Sequence, residues 1–405
     1  MKWQWGLCAL FFSLPAMAES SLSTLKKQLA TNNPELRASS SRQQAQKNLA
    51  HSQWSPFLPE LSAAAGYAKE NTLHDKDDGY VGYLSGRWNL FRGGQDWKEK
   101  GIADQESRVA DLDHDITSRR LNRELGEAYY EALLNTHFIS VDSEKIQFLH
   151  NQRSMAQKKI NAGLTSNVDA IELDLEESTL SAEIESHKTD LQISQDVIKS
   201  LVYSDSVTNL STKEAFPRIS EADFAKTDVS QNPALQKQQA LEQSSHLRRQ
   251  KAQGAYLPSI DLNAQYGRLV PQYEDPMDGT ESRVSVLMTW TFFSGLDTRF
   301  KTAAAKELET SQGFEKANTQ IQLNTQTESL RNKARELLAL RSLLEKRQTL
   351  TQKYYDLTLS EYRRGIKNSS DLASATNSLF ENRTRLLQVQ KDLAVLKLKF
   401  DELTM

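Results

Sequence analysis

An internal duplication constrains this chain more than any other feature of its sequence. The stretch that begins at Asn33 recurs from Asn232 onward at a constant spacing. The residues shared in order are Asn33, Pro34, Leu36, Leu58, Pro59 and Tyr67 in the first copy, and Asn232, Pro233, Leu235, Leu257, Pro258 and Tyr266 in the second. Further along, Trp88, Phe91, Gly163 and Asp169 match Trp290, Phe293, Gly365 and Asp371. A repeat longer than a solenoid unit predicts a duplicated half-protein whose halves pack pseudo-symmetrically.

Residues 1–18 have the pattern of a secretory signal peptide. Lys2 precedes an apolar run from Leu7 to Leu14, and Ala16 to Ala18 form a small-x-small site, so we expect cleavage before Glu19. A membrane-anchoring helix is the alternative, but the run is shorter than the roughly 20 residues that a spanning helix needs. Cys8, the single cysteine, lies in this run. The exported chain is therefore expected to use neither disulfides nor thiolate metal ligands.

Charge and motif content exclude several classes of function. The formal net charge is −3, and this lack of basic excess argues against nucleic acid as a partner. The seven histidines are scattered, and the sequence has no HExxH motif, paired-carboxylate arrangement or phosphate-binding glycine loop. We therefore expect no enzyme activity, no cofactor and no metal site. Because no apolar segment after the leader is long enough for a spanning helix, any membrane insertion must use strands.

Two proline-free tracts predict unusually long helices. None of the nine prolines lies between Pro59 and Pro217 or after Pro276. Residues 94–161 and 296–363 are rich in strong helix formers, and further helices are expected at about 167–203 and 369–403. The last of these carries an apolar stripe at steps of three and four that includes Leu372, Leu379, Leu386, Leu393 and Phe400. Such a stripe is typical of a coiled-coil seam, and taken alone it favours a soluble antiparallel bundle.

Alternating segments at about 60–92 and 259–293 predict two strands in each half. In the second half Val284, Val286, Met288, Trp290 and Phe292 alternate with mainly polar residues, which gives a strand one apolar and one polar face. Strands of about ten residues suit a tilted crossing of a bilayer. Two hairpins cannot close a barrel, and open edges are not tolerated in lipid, so several chains must contribute strands. A small water-soluble β-cap on a helical stalk is the alternative.

Taken together, these features resemble the TolC-like outer-membrane efflux proteins. The resemblance rests on the signal peptide, the duplication, the Asn-Pro starts, Leu-Pro before each hairpin, the Trp-Asn-Leu-Phe-Arg-Gly-Gly stretch at Trp88 to Gly94 and the long proline-free helices. It covers nearly the whole exported chain and divides it into a first half at 19–209, an equatorial linker at 210–231 and a second half at 232–405.

The resemblance implies a mainly α fold with a β-barrel portion. In such a homotrimer each chain gives four strands to a shared twelve-stranded transmembrane β-barrel and its helices to a long coiled-coil α-barrel. It also implies an exit duct in the outer membrane of a Gram-negative bacterium, with the helical part in the periplasm. A periplasmic adaptor would connect the duct to an inner-membrane pump or ABC transporter, in tripartite efflux or in type I secretion. A soluble periplasmic or surface coiled-coil stalk or adhesin with a β-tip remains the alternative.

The same resemblance implies site residues at two turns, Ala162 to Ala170 and Arg364 to Leu372. Four residues correspond to the periplasmic gate of the family: Asp371, Asp169, Tyr362 and Lys367. Four correspond to the tips that receive the adaptor: Gly163, Leu164, Gly365 and Ile366. Helix capping is an equally weighted explanation of the two aspartates, because a carboxylate suits a helix N-terminus. The chain departs from the family pattern at Val168 and Ser374, where a threonine and an acidic residue are expected.

Overall fold

A computed structural model describes residues 21–71, 76–163, 167–204, 214–225, 228–272 and 280–404. The predicted signal peptide, Leu164 and parts of the hairpin loops and the linker lie outside these residues. The helices are α1 (Leu22–Asn32), α2 (Pro34–Ser52), α3 (Gln95–Asn161), α4 (Val168–Val202), α5 (Pro233–Gly254), α6 (Asp297–Arg363) and α7 (Ser369–Thr404). The strands are β1 (Glu60–Asn71), β2 (Lys76–Arg92), β3 (Ser259–Gln272) and β4 (Glu281–Thr289).

The chain divides into two compact units, which are described separately. Residues 35–119, 227–328 and 403–405 form a sheet unit, which contains all four strands. The described residues within 21–34, 120–225 and 329–402 form a helical unit. No helix in the described ranges is both long enough and apolar enough to cross a membrane.

The sheet is antiparallel, in the order β1-β2-β3-β4, and its register aligns the apolar residues of all four strands. Ala63 pairs with Leu84, and Leu84 with Tyr266. Gly86 pairs with Ala264, and Ala264 with Val284. Because side chains alternate between faces, these pairings place the apolar residues on one face. The other face is largely polar, and there the hydroxyls of Ser62 and Ser85 lie 2.7 Å apart.

The second hairpin differs from its prediction, because β4 ends at Thr289 rather than near Phe293. Thr289 pairs with Ser259, the first residue of β3, so β3 has no residues left to pair with Trp290 to Phe293. β4 is an edge strand and has β3 as its single neighbour in the described sheet. β2, by contrast, lies between two strands and continues to Arg92.

One tryptophan in each half forms a hydrogen bond at the base of its hairpin. The Trp88 indole N–H donates to the Phe57 carbonyl at 3.1 Å, and the Trp290 indole N–H donates to the Tyr256 carbonyl at 3.1 Å. Each acceptor comes directly before a Leu-Pro pair that leads into a strand. The two halves therefore share an equivalent hydrogen bond as well as equivalent residues.

Asparagine begins each half in the same way. The Asn33 side chain, which is buried, donates to the Leu201 carbonyl at 2.8 Å in the helical unit. In the sheet unit the buried Asn232 side chain donates to the Leu403 carbonyl at 3.0 Å, and its oxygen accepts from the Ala234 N–H at 2.8 Å. The carbonyls at the last turn of a helix lack partners within that helix. Each asparagine thus joins the start of its half to the helix that ends that half.

The described part of the linker belongs to the core of the helical unit. Phe216, Ile219 and Phe224 are buried among residues of α3, α6 and α7, and the Phe224 ring meets the Phe400 ring edge-on with centroids 5.1 Å apart. Three cations satisfy backbone carbonyls of this segment. The donors and acceptors are Arg341 to Ile219 at 2.9 Å, Lys397 to Asp223 at 3.0 Å and Arg331 to Phe224 at 3.2 Å. The segment therefore packs into the unit and is not a loose connection.

Candidate functional site

Both predicted tip turns end a helix at a glycine with left-handed backbone geometry. Gly163 follows α3 with φ of 70°, and Gly365 follows α6 with φ of 77°. Glycine is the residue that adopts these angles without steric cost, and it commonly ends helices for this reason. Gly365 and Ile366 are exposed, as is Gly163. The three described tip residues are therefore accessible on the isolated chain, whereas Leu164 falls outside the described residues.

Tyr362, a predicted gate residue, is 2% exposed and packs in an apolar cluster with Tyr355, Leu372 and Phe380. Side chains of α3, including Phe148, cover the same cluster. Burial raises the pKa of the Tyr362 hydroxyl, the hydrogen bond with Ser369 lowers it, and the Asp169 carboxylate raises it. Tyr362 therefore joins the end of α6 to α3 and to the start of α7.

The cation next to Tyr362 is Lys159, which the sequence reasoning did not identify. The Lys159 ammonium lies 3.5 Å from the centroid of the Tyr362 ring and donates to the Tyr362 carbonyl at 2.9 Å. Burial lowers the pKa of Lys159, and the Asp169 carboxylate acts in the opposite direction. The one available signal was its place in the last turn of α3, where cations favour the negative end of a helix.

Asp371 forms a reciprocal cap at the start of α7. Its backbone N–H donates to the Asn368 side-chain oxygen at 2.8 Å, and its carboxylate accepts from the Asn368 N–H at 3.3 Å. Lys367 lies 3.7 Å from the same carboxylate, and both side chains are partly exposed. Asp371 therefore takes part in a helix cap. Its carboxylate is also partly exposed to solvent, so capping does not exclude a role in the gate.

Polar contacts join α3 to α6 and α7 near the second tip turn. The Gln152 amide on α3 donates to the Thr376 hydroxyl on α7 at 2.7 Å. Together with the Lys159 to Tyr362 contacts, this bond ties the end of α3 to both sides of the second turn. The structure therefore gathers Asp169, Tyr362 and Asp371 into one end of the helical unit, while Lys367 contacts Asp371.

Two helices of the helical unit expose apolar residues on the isolated chain. Along α4, Ile171 and Leu175 near its start and Ile193 and Val197 near its end are exposed and share one helical face. Along α6, Leu343, Leu350 and Leu357 are exposed at heptad spacing. A narrow apolar stripe at this spacing is typical of a helix that packs against another helix.

Comparisons with known proteins agree with this architecture. The family model described as outer membrane efflux protein matches residues 25–200 and 228–398, one segment in each half. No curated protein matches the chain in sequence.

Solved channel structures share the fold. The outer membrane protein VceC of Vibrio cholerae is 14% identical, with a TM-score of 0.82 over 95% of this chain and 96% of VceC. The open state of the Neisseria gonorrhoeae MtrE outer membrane channel is 14% identical, with a TM-score of 0.80 over 95% of this chain and 88% of MtrE. The Campylobacter jejuni CmeC outer membrane channel is 12% identical, with a TM-score of 0.79 over 96% of this chain and 86% of CmeC. The chain belongs to the outer membrane efflux protein family, a family of channels, and its place is the outer membrane.

Proposed function

We propose that three copies of this chain form an export duct across the outer membrane. In this duct a periplasmic adaptor delivers substrates from an inner-membrane pump or ABC transporter. One observation carries the proposal: a four-stranded sheet with one continuous apolar face and an edge strand on each side, β1 and β4. Edges are not tolerated in lipid unless they are paired. Copies of the sheet joined edge to edge would pair β4 of one copy with β1 of the next and turn every apolar face to the lipid.

The exposed apolar residues on α4 and the heptad stripe on α6 support the same assembly. Burial of such residues against helices of other copies would stabilise the protein. A closed ring of three chains would cover these residues in the periplasm and pair both strand edges in the membrane. Such an assembly would satisfy both exposed features with a single symmetric arrangement.

Cysteine labelling tests which sheet face meets lipid. Met288 and Leu287 are adjacent on β4 and lie on opposite faces. In protein reconstituted into liposomes, a hydrophilic maleimide should react readily with Leu287→Cys, whose side chain would face the aqueous lumen. Met288→Cys should react at least roughly tenfold more slowly, because lipid would cover it. Cys8 lies in the predicted leader, so no other cysteine interferes.

Planar-bilayer recording decides between the duct and the stalk. If the chain forms a duct, we expect trimers in detergent that open aqueous pores in bilayers. We also expect Met288→Cys to be protected from labelling in liposomes. A soluble stalk predicts monomers or coiled-coil oligomers that leave bilayers silent, with equal labelling of both cysteines. Equal labelling in a protein that still forms pores would show that the sheet faces are assigned wrongly.

Substitution of Asp371 tests whether three carboxylates line a constriction at the tip. Asp371→Asn should lower the preference of the pore for cations over anions, because rings of carboxylates attract cations. Asparagine keeps an oxygen that can accept from the Asn368 N–H, so the cap should survive better than with alanine. Reversal potentials in a salt gradient give the measurement. The control is Asp174→Asn, which removes an exposed carboxylate paired with Arg153 on α3. If Asp371→Asn had the same selectivity as the natural protein, Asp371 would not line the pore.

A further inference from the structure

A single ammonium group joins the ends of α3 and α6 at the tip. Lys159 belongs to the last turn of α3, and both its cation–π contact and its hydrogen bond go to Tyr362 at the end of α6. Asp169 in the first turn of α4 acts electrostatically on Lys159 and on Tyr362. Ser369, the first residue of α7, lowers the pKa of the Tyr362 hydroxyl. Removal of Lys159 would therefore remove the direct contacts between α3 and α6.

The chemistry of the contact requires a cation. The Tyr362 carbonyl lies at the negative end of α6, where a positive charge is favoured, and it already accepts from the Gly365 N–H at 3.1 Å. The ring face of tyrosine attracts an ammonium, more strongly when water is excluded. Tyr362 is buried and Lys159 is partly exposed, so Tyr362 shields one side of the ammonium from water. Lys367, the cation implied by the family resemblance, is half exposed and pairs with Asp371 four residues along its own turn.

We propose that Lys159 is the positioning residue that keeps the α6–α7 turn against the end of α3. The inference rests on the proposed export function, since it makes the Lys159 to Tyr362 contact a latch on the periplasmic end of the duct. Opening would separate the ammonium from the ring and the carbonyl and let the second turn move outward. A latch made of one charged contact gives two discrete arrangements rather than a gradual deformation.

Conductance of single pores measures the latch in the working assembly. Lys159→Met removes the charge and the donor, and Lys159→Gln keeps a donor and removes the charge. Both should raise the ratio of open to closed pores by roughly tenfold, because a charged hydrogen bond and a cation–π contact are lost together. Lys159→Arg should behave like the natural protein. The matched control is Lys158→Gln, which removes the neighbouring exposed lysine of the same helix turn. Closed pores in both Met and Gln variants, or an Arg variant that is as open as the Met variant, would overturn the proposal.

Spin-label distances measure the latch without any pore. Labels at Gln157→Cys on α3 and Ser360→Cys on α6 use exposed positions near the two turns. Lys159→Met should lengthen or broaden the distance distribution, whereas Lys158→Gln should not. In a Tyr362→Leu background the effect of Lys159→Met should shrink, because the shared contact is already lost. A distance change in protein that forms no pores would retain the latch and reject the duct. Unchanged distances in protein that forms pores would reject the latch alone.

Discussion

Val286→Arg should prevent most of the protein from assembling in the outer membrane. Val286 lies on the apolar face of β4 and is 65% exposed on the isolated chain. An arginine near the middle of the lipid costs about 2–4 kcal/mol for each chain of a transmembrane barrel. The cost would occur once per copy in a trimer. We expect the yield of trimer that resists sodium dodecyl sulfate to fall at least roughly tenfold in outer-membrane fractions.

Ser285→Arg provides the control, because it adds the same side chain to the adjacent residue of the same strand. Ser285 pairs with Asn263 on the polar face, so its arginine would enter the aqueous lumen. We expect normal trimer yield and at most a change of ion selectivity. If the two variants assembled equally well, the apolar face would not meet lipid, and the edge-to-edge assembly would lose its main support.

Asn232→Asp should lower the stability of the sheet unit by about 1–3 kcal/mol. Aspartate keeps the oxygen that accepts from the Ala234 N–H, but it loses the donor to the Leu403 carbonyl. A buried acceptor left without its donor costs roughly that amount, and the new carboxylate would also face the carbonyl oxygen. Urea titration in detergent, followed by circular dichroism, gives the free energy of unfolding. Asn33→Asp removes the equivalent donor to the Leu201 carbonyl and should have a similar effect.

Asn48→Asp serves as the control for both asparagines. Asn48 is exposed on α2, and its oxygen accepts from the Gln44 amide at 3.2 Å, a bond that aspartate retains. Its unfolding free energy should change by less than about 0.5 kcal/mol. Equal losses in all three variants would trace the effect to the added charge and would exclude the long-range hydrogen bonds as its cause.

The regular elements were predictable because their causes are local. The proline-free tracts indicated the long helices, and α3 covers Gln95–Asn161 as a single helix. Period-two alternation indicated four strands, and their register places the apolar residues on one face. The end of β4 was not predictable from alternation, because Trp290 and Phe292 continue the pattern beyond the strand. Its end depends on where β3 begins, which is a property of pairing and not of β4 itself.

The contacts of the tip were much less predictable than the turns themselves. Gly163 and Gly365 interrupt the helical tracts of the sequence, so both turns could be predicted. Asn368, which bonds reciprocally with Asp371, was not identified from the sequence. Lys159 contacts a residue more than 200 positions away in the chain. Nothing in the local pattern distinguishes it from Lys158, because packing between α3 and α6 selects which lysine reaches Tyr362.

The two asparagine bonds bear on how such a chain could have arisen. Asn33 binds the last turn of α4, and Asn232 binds the last turn of α7, so the start of each half is bonded to the end of the same half. A polypeptide of half the length could have made the same closure, and six such polypeptides could have built the ring before two were fused. Co-expression of the halves as separate chains should therefore still give assembled particles.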